Sequence, residues 1–194
     1  MSDVTASITL VRHGRSALHV PKQVASDALR RTARRYNEAG IRRTPRPPME
    51  LCRHAHSAAV IVCSDTRRAI ESARALDGTR EPLVDPVFRE AGLPLSLPVP
   101  LSLSFDAWIV MGRIAWFLGW SAGGESLTEA RRRASTAARR LTKLCAQHRS
   151  VMLVGHGVFN ALIAAELRRK GWSGPLWSPR TPHWAFACYS KPRV

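Results

Sequence analysis

Apolar residues gather along this chain in short unbroken runs. Ile8 to Val11, Ala59 to Cys63 and Val151 to Val154 are mostly aliphatic or β-branched, and each is bounded by polar residues or glycine. Runs of that length without alternation mark strands buried on both faces, as in a parallel sheet. Leu83 to Phe88 is a weaker strand interrupted by Pro86, and Trp184 to Tyr189 reads as a last one.

Between these runs the pattern changes to a helical period. Leu127, Ala130, Ala134, Ala138, Leu141 and Cys145 share one face of a segment from Ser126 to His148, with Arg131, Arg132, Arg139 and Lys143 off it. Ser126 and Glu129 stand at capping-box spacing at its start. Thr66 to Leu76 follows Ser64-Asp65, an N-cap signature, and Val158 to Lys170 continues the third strong strand. Lys22 to Ala39 is helix-compatible with Gly40 as its C-cap, and Met49 to Ser57 is a short helix after the prolines at 45, 47 and 48. Strands alternating with helices predict an α/β fold of three layers, α/β/α: a mostly parallel central sheet with helices on both faces. A length of 194 residues fits one such domain, spanning the whole chain.

Residues 94–123 interrupt this alternation. Leu95, Leu97, Leu101, Leu103, Phe105, Trp108, Ile109 and Trp116 are more apolar surface than one exposed helix tolerates. Phe105 to Trp120 is a helix candidate broken by Arg113, and it is shorter than the ~20 apolar residues that cross a bilayer. The segment follows Glu90 and ends before Gly124-Glu125, so it is expected to cover the mouth of the site as a lid, with Trp108 and Trp116 towards the substrate. Packing on the sheet, or a homodimer contact, would use the same surface.

Charge narrows the class of partner. Lys and Arg number 30 against 14 Asp and Glu, giving +16, which draws phosphorylated small molecules, nucleic acid or acidic surfaces. Cys52, Cys63, Cys145 and Cys188 are scattered, without the spacing of a zinc site or a redox dithiol, and the N-terminus does not read as a signal peptide. Reduced thiols in a cytoplasmic protein are the simplest expectation.

The candidate chemistry lies at the strand ends. Ile8 to Val11 runs into Arg12-His13-Gly14, where glycine permits a sharp turn; Ala59 to Cys63 runs into Ser64-Asp65 and on to Arg68; Val151 to Val154 runs into Gly155-His156-Gly157. In a parallel sheet these ends share one edge, where ligands bind. Two histidines and two arginines converging there suit phosphoryl transfer through a covalent phosphohistidine.

These stretches, with Phe88-Arg89-Glu90 and Gly124-Glu125-Ser126-Leu127, fall in the order of the histidine phosphatase superfamily, and the chain resembles its phosphoglycerate mutase-like branch. The resemblance implies His13 as nucleophile, Glu90 as proton donor, and Arg12, Arg68, His156 and Ser16 as ligands of the phosphoryl group, with no metal and no cofactor. It implies a metal-independent phosphomonoesterase acting on a small phosphorylated substrate or a phosphoprotein. Ser16 keeps the hydroxyl of the Thr usual there, whereas His19 replaces a usual Asn. A phosphoglycerate mutase-type transferase is the alternative within the family, although mutases usually carry a longer insert. Outside it, a cysteine-dependent phosphatase would need five residues between Cys63 and its arginine, and Arg68 leaves four. A non-catalytic binder of nucleic acid or an anionic surface would use the tract Arg30, Arg31, Arg34, Arg35, Arg42, Arg43 and Arg46, but no nucleic-acid module accompanies it. His54 and His56 are expected at the surface.

Overall fold

The computed structural model describes residues 6–94 and 100–192. The expected strands form, and the sheet is central. β1 (Ala6–Arg12) is followed by the two-residue β2 (Val24–Ala25), α1 (Leu29–Glu38), α2 (Met49–Ser57), β3 (Val60–Cys63), α3 (Arg67–Leu76) and β4 (Leu83–Val84). Then come β5 (Ser102–Leu103), α4 (Phe105–Phe117), α5 (Leu127–His148), β6 (Ser150–Gly155), α6 (Gly157–Arg169) and β7 (Phe186–Lys191). The main sheet has the order β4-β3-β6-β1-β7; only β7, paired to β1, runs antiparallel. β2 and β5 make a separate antiparallel pair.

The unbroken apolar runs become strands covered on both faces. Ile8 and Leu10 of β1 and Val151 and Leu153 of β6 join α5 and α6 in one core. Val11, Met152 and Val154 point the other way, into the core shared with α2 and α3. The result is the three-layer α/β/α arrangement that the sequence predicts. On α5, Ala130, Ala134, Ala137, Ala138, Leu141 and Cys145 are buried, and Ser126 and Glu129 close the expected capping box. A third cluster, with Val24, Leu29, Ala33, Phe105 and Trp108, packs α1 against α4.

Several local expectations are corrected. The segment from Lys22 enters α1 only at Leu29, after β2 and a 3-10 turn (Ser26–Ala28). Gly40 does not close α1: the cap is Ala39 in extended conformation, and a Cβ at position 40 would lie 2.1 Å from the Glu71 carboxylate. Gly14 likewise has no left-handed backbone; a Cβ there would lie 2.3 Å from the Trp184 ring, so glycine serves close packing rather than a turn. Pro86 ends β4 and opens a 3-10 turn (Pro86–Phe88) capped by Asp85. Leu95 and Leu97 lie outside the described residues. Among the described residues no helix is long and apolar enough to cross a membrane.

Candidate active site

Register brings the strand ends together. Arg12 pairs with Gly155 and Cys63 with Val154, so His13, His156 and Ser64 follow one another along a single edge. The His13 N–H donates to the Gly155 carbonyl at 3.0 Å, which joins the two turns directly.

His13 is 3% exposed. Its Nδ1 lies 2.8 Å from the carbonyl oxygen of Gly14, which can only accept, so the neutral ring carries its proton there. Nε2 keeps its lone pair, and the buried Arg68 donates to it from Nε at 3.2 Å. Burial, reinforced by the nearby His156 and Arg68, holds the His13 pKa well below the ordinary imidazole value. Gly14 N–H donates to Ser72 Oγ at 2.9 Å, and that hydroxyl donates to the Arg68 carbonyl, so α3 fixes the turn that carries His13.

His156 is fully buried, with its ring centroid 5.0 Å from that of His13. Its Nε2 shares a 2.8 Å hydrogen bond with Ser64 Oγ, and Thr66 Oγ1 lies at 3.4 Å. Burial and then the charges of Arg68 and Arg12 hold its pKa well below the ordinary value too. Ser64 and Asp65 therefore do not cap α3, whose N-cap is Thr66 without a side-chain bond. Ser64 holds His156, and Asp65 grips Arg89 through both carboxylate oxygens.

Arg12 reaches the Thr181 carbonyl. Arg68 NH1 donates to the Tyr36 carbonyl at 3.2 Å and to Asn37 Oδ1 at 3.3 Å. Three buried side-chain polar atoms among the described residues have no hydrogen-bond partner, and two of them, Arg12 Nε and His156 Nδ1, belong to this site.

Glu90 sits on the N-terminus of α6. Its carboxylate accepts from Phe159 N–H at 2.8 Å, Val158 N–H at 3.4 Å and Ala91 N–H at 3.0 Å, satisfying donors that a helix start leaves unpaired. Arg133, which the sequence does not single out, braces this loop: it donates to the carbonyls of Val87, Arg89 and Glu90 and pairs with Glu125 at 2.7 Å. Glu125 in turn accepts from Gly92 N–H at 2.9 Å. Only Glu125's place just before a helix start, and the position of Arg133 two turns on, hint at this brace in the sequence.

Arg12, His13, Arg68, Glu90 and His156 all line one cavity of about 1200 Å³. Ser16 does not. Its hydroxyl accepts from Leu18 N–H at 3.2 Å, and its backbone bridges to Ile41. His19 lines a different, shallower depression with Arg35 and Glu38. His183, also unforeseen, lies beside His13: its Nδ1 donates to the His13 carbonyl at 3.0 Å, and the ring centroids are 5.3 Å apart.

The tryptophans expected to face the substrate do not. Trp108 and Trp116 are buried on the far side of α4, and their indole N–H groups donate to the Val24 and Glu125 carbonyls, each at 2.7 Å. The cavity is walled instead by Phe105, Ile109, Val110, Ile114 and Phe117 of the same helix. The physical reason is that a Trp needs a partner for its N–H, and the backbone behind α4 supplies one. The basic tract is divided: Arg30 and Arg34 line the cavity, while Arg42 Nε donates to the Ser16 carbonyl. Cys63 is fully buried and its thiol is pushed up to about 12 by burial, which leaves no thiolate for cysteine chemistry. His54 is half-buried with its ring against Phe186, and His56 is exposed.

The sequence profile described as "Histidine phosphatase superfamily (branch 1)" matches residues 8–179. Among solved structures, a protein described as mycobacterial hydrolase 2 has a TM-score of 0.62 at 22% identity, covering 98% of this chain and 84% of its own. The mycobacterial glucosyl-3-phosphoglycerate phosphatase has a TM-score of 0.56 at 22% identity, with 85% and 80% covered. A phosphoserine phosphatase mutant from Entamoeba histolytica, solved with phosphoserine, has 0.58 at 12% identity, with 97% and 95% covered. At these identities the likeness establishes the fold. No match is found among curated proteins.

Proposed function

The chain belongs to the histidine phosphatase superfamily, and from that premise we propose that it hydrolyses phosphomonoesters, without a metal, through a phosphohistidine at His13. His13 Nε2 attacks phosphorus as the P–O ester bond breaks. The departing oxygen takes a proton from the Glu90 carboxyl, worth roughly 10²–10⁴ in rate for an alkoxide. Glu90, now a carboxylate, accepts a proton from the water that next attacks the phosphohistidine, releasing inorganic phosphate and the free imidazole. Arg12, Arg68 and His156 hold the three non-bridging oxygens, Arg68 giving up its bond to His13 Nε2 for one to the phosphate so that the lone pair is free to attack.

The observation that carries this reading is the pair of partnerless buried nitrogens, Arg12 Nε and His156 Nδ1, on the residues beside His13. With Ser64 donating to Nε2 of His156, the proton of that neutral ring sits on Nδ1, and a phosphoryl oxygen is the acceptor that completes it. The names of similar proteins, a phosphoserine phosphatase and a glucosyl-3-phosphoglycerate phosphatase, support hydrolysis over transfer. Domain extent follows the same premise: residues 8–179 are matched and we take the whole chain as one catalytic domain, with 94–123 as its insertion.

The test is rapid quenching with a ³²P-labelled ester. An adduct stable in base and labile in acid is expected on the wild-type protein and absent from His13→Ala. Turnover by His13→Ala near the wild-type rate would overturn the proposal, as would activity lost on chelation and restored by one divalent metal.

A further inference from the structure

We infer that the substrate is the phosphomonoester of a bulky apolar alcohol, whose hydrocarbon part lies along α4. The inference rests on the phosphatase reading above, which supplies the phosphate end. Three observations carry it, and a fourth sets what competes with it.

The first is size. The cavity of about 1200 Å³ exceeds the ~300–1,000 Å³ common for small-ligand pockets, and a phosphate with its ligands occupies only one end. The second is the character of the wall. Ile109, Val110, Ile114 and Phe117 fall on one face of α4, at i, i+1, i+5 and i+8, and all line the cavity. The packing needs of α4 are met on its other face, where Phe105, Trp108, Gly112 and Trp116 are buried. The cavity stripe is therefore surplus to folding, with Val110 46%, Ile114 56% and Phe117 49% exposed.

The third is where α4 is pinned. Arg113 donates to the carbonyls of Ala91 and Gly92, the two residues after Glu90. The ester oxygen that takes a proton from Glu90 thus departs beside this helix, and the atoms attached to it meet Ile109, Val110 and Ile114. The fourth is charge. Of the cavity's arginines outside the phosphate end, Arg67 is paired to Glu71, Arg89 to Asp65 and Arg113 to backbone carbonyls. Arg30, Arg34 and Arg180 make no side-chain hydrogen bond or ion pair among the described residues, so a leaving group with a second anion is the competing occupant.

Linear alkyl phosphates from butyl to octyl, kept below their micelle concentrations, separate the two, with p-nitrophenyl phosphate and phosphoserine alongside. Full burial of each added methylene corresponds to a rise of about fourfold in kcat/KM, and about twofold to fourfold per methylene is expected here. Ile114→Asp should cut kcat/KM at least tenfold more for octyl phosphate than for p-nitrophenyl phosphate, and Leu176→Asp, exposed and outside the cavity, should change neither. A flat dependence on chain length overturns the inference, as does phosphoserine outdoing octyl phosphate tenfold. Calorimetric binding of the same series to His13→Ala keeps the question separate from catalysis. If p-nitrophenyl phosphate is not turned over, the phosphatase reading fails, and the chain-length dependence of binding still decides what the α4 wall holds.

Discussion

Acidifying the unliganded protein from pH 7.5 to 5.5 should cost it about 3 kcal/mol of stability through His13 and His156 alone. Both imidazoles are buried and held neutral, with pKa values well below the ordinary one. In the unfolded chain each titrates near about 6.5. Below that point the unfolded state binds protons that the folded state refuses, so stability is fully present above the unfolded pKa and is lost as pH falls towards the folded one. Over these two units each histidine contributes about 1–2 kcal/mol, on the order of one pKa unit of differential proton binding. His183, lowered by burial and by Arg12, adds in the same direction. Urea unfolding followed by tryptophan fluorescence in phosphate-free buffer measures the effect. With a slope of about 2–3 kcal/mol/M for a domain of this size, the midpoint should fall by about 1 M. In His13→Asn/His156→Asn most of that shift should vanish. A wild-type midpoint moving by less than about 0.2 M, or a double variant with the wild-type pH response, would refute the claim that these rings are buried neutral.

Three further outcomes follow from the same geometry. Glu90→Gln should slow alkyl phosphates by roughly 10²–10⁴ while affecting p-nitrophenyl phosphate far less, because only a poor leaving group needs the proton; equal losses in steady-state assays would remove Glu90 from that role. Arg133→Met deletes three bonds to carbonyls and the Glu125 pair, at about a quarter exposure, and should lower stability by about 2–4 kcal/mol in urea unfolding. The same variant should lower kcat more than it raises KM. Gly14→Ala forces a Cβ into the Trp184 ring and should cost about 1–3 kcal/mol; Trp184→Leu placed behind it should recover part of that loss in thermal melts.

What could be read in advance was whatever depends on local pattern. Unbroken apolar runs mark buried strands wherever they occur, so β1, β3 and β6 and the residues at their ends, Arg12, His13, Arg68 and His156, were legible. Residues whose role is set by a distant partner were not. Ser64 and Asp65 have the local chemistry of a cap, yet a histidine 92 positions away and Arg89 claim them instead. Arg113 looks like a break in an apolar helix, whereas its guanidinium reaches the carbonyls after Glu90 and fixes which face of α4 meets the cavity. Composition marks the tryptophans as part of an apolar segment after Glu90. It does not reveal that two carbonyls wait behind them. Ser16 shows the opposite failure: its place in a motif suggests a ligand, but the backbone bridge to Ile41 draws its hydroxyl to Leu18.

The seating of Glu90 on the first amides of α6 has a mechanical consequence. His156 immediately precedes that helix and Glu90 is bonded to its second and third residues, so both ride on one stiff rod. Any shift of α6 against the sheet therefore moves the His156 ring and the Glu90 carboxylate together, so their mutual spacing is kept as a property of one body. What such a shift changes is where both stand relative to His13, and the His13 N–H bond to the Gly155 carbonyl at the root of the helix opposes it.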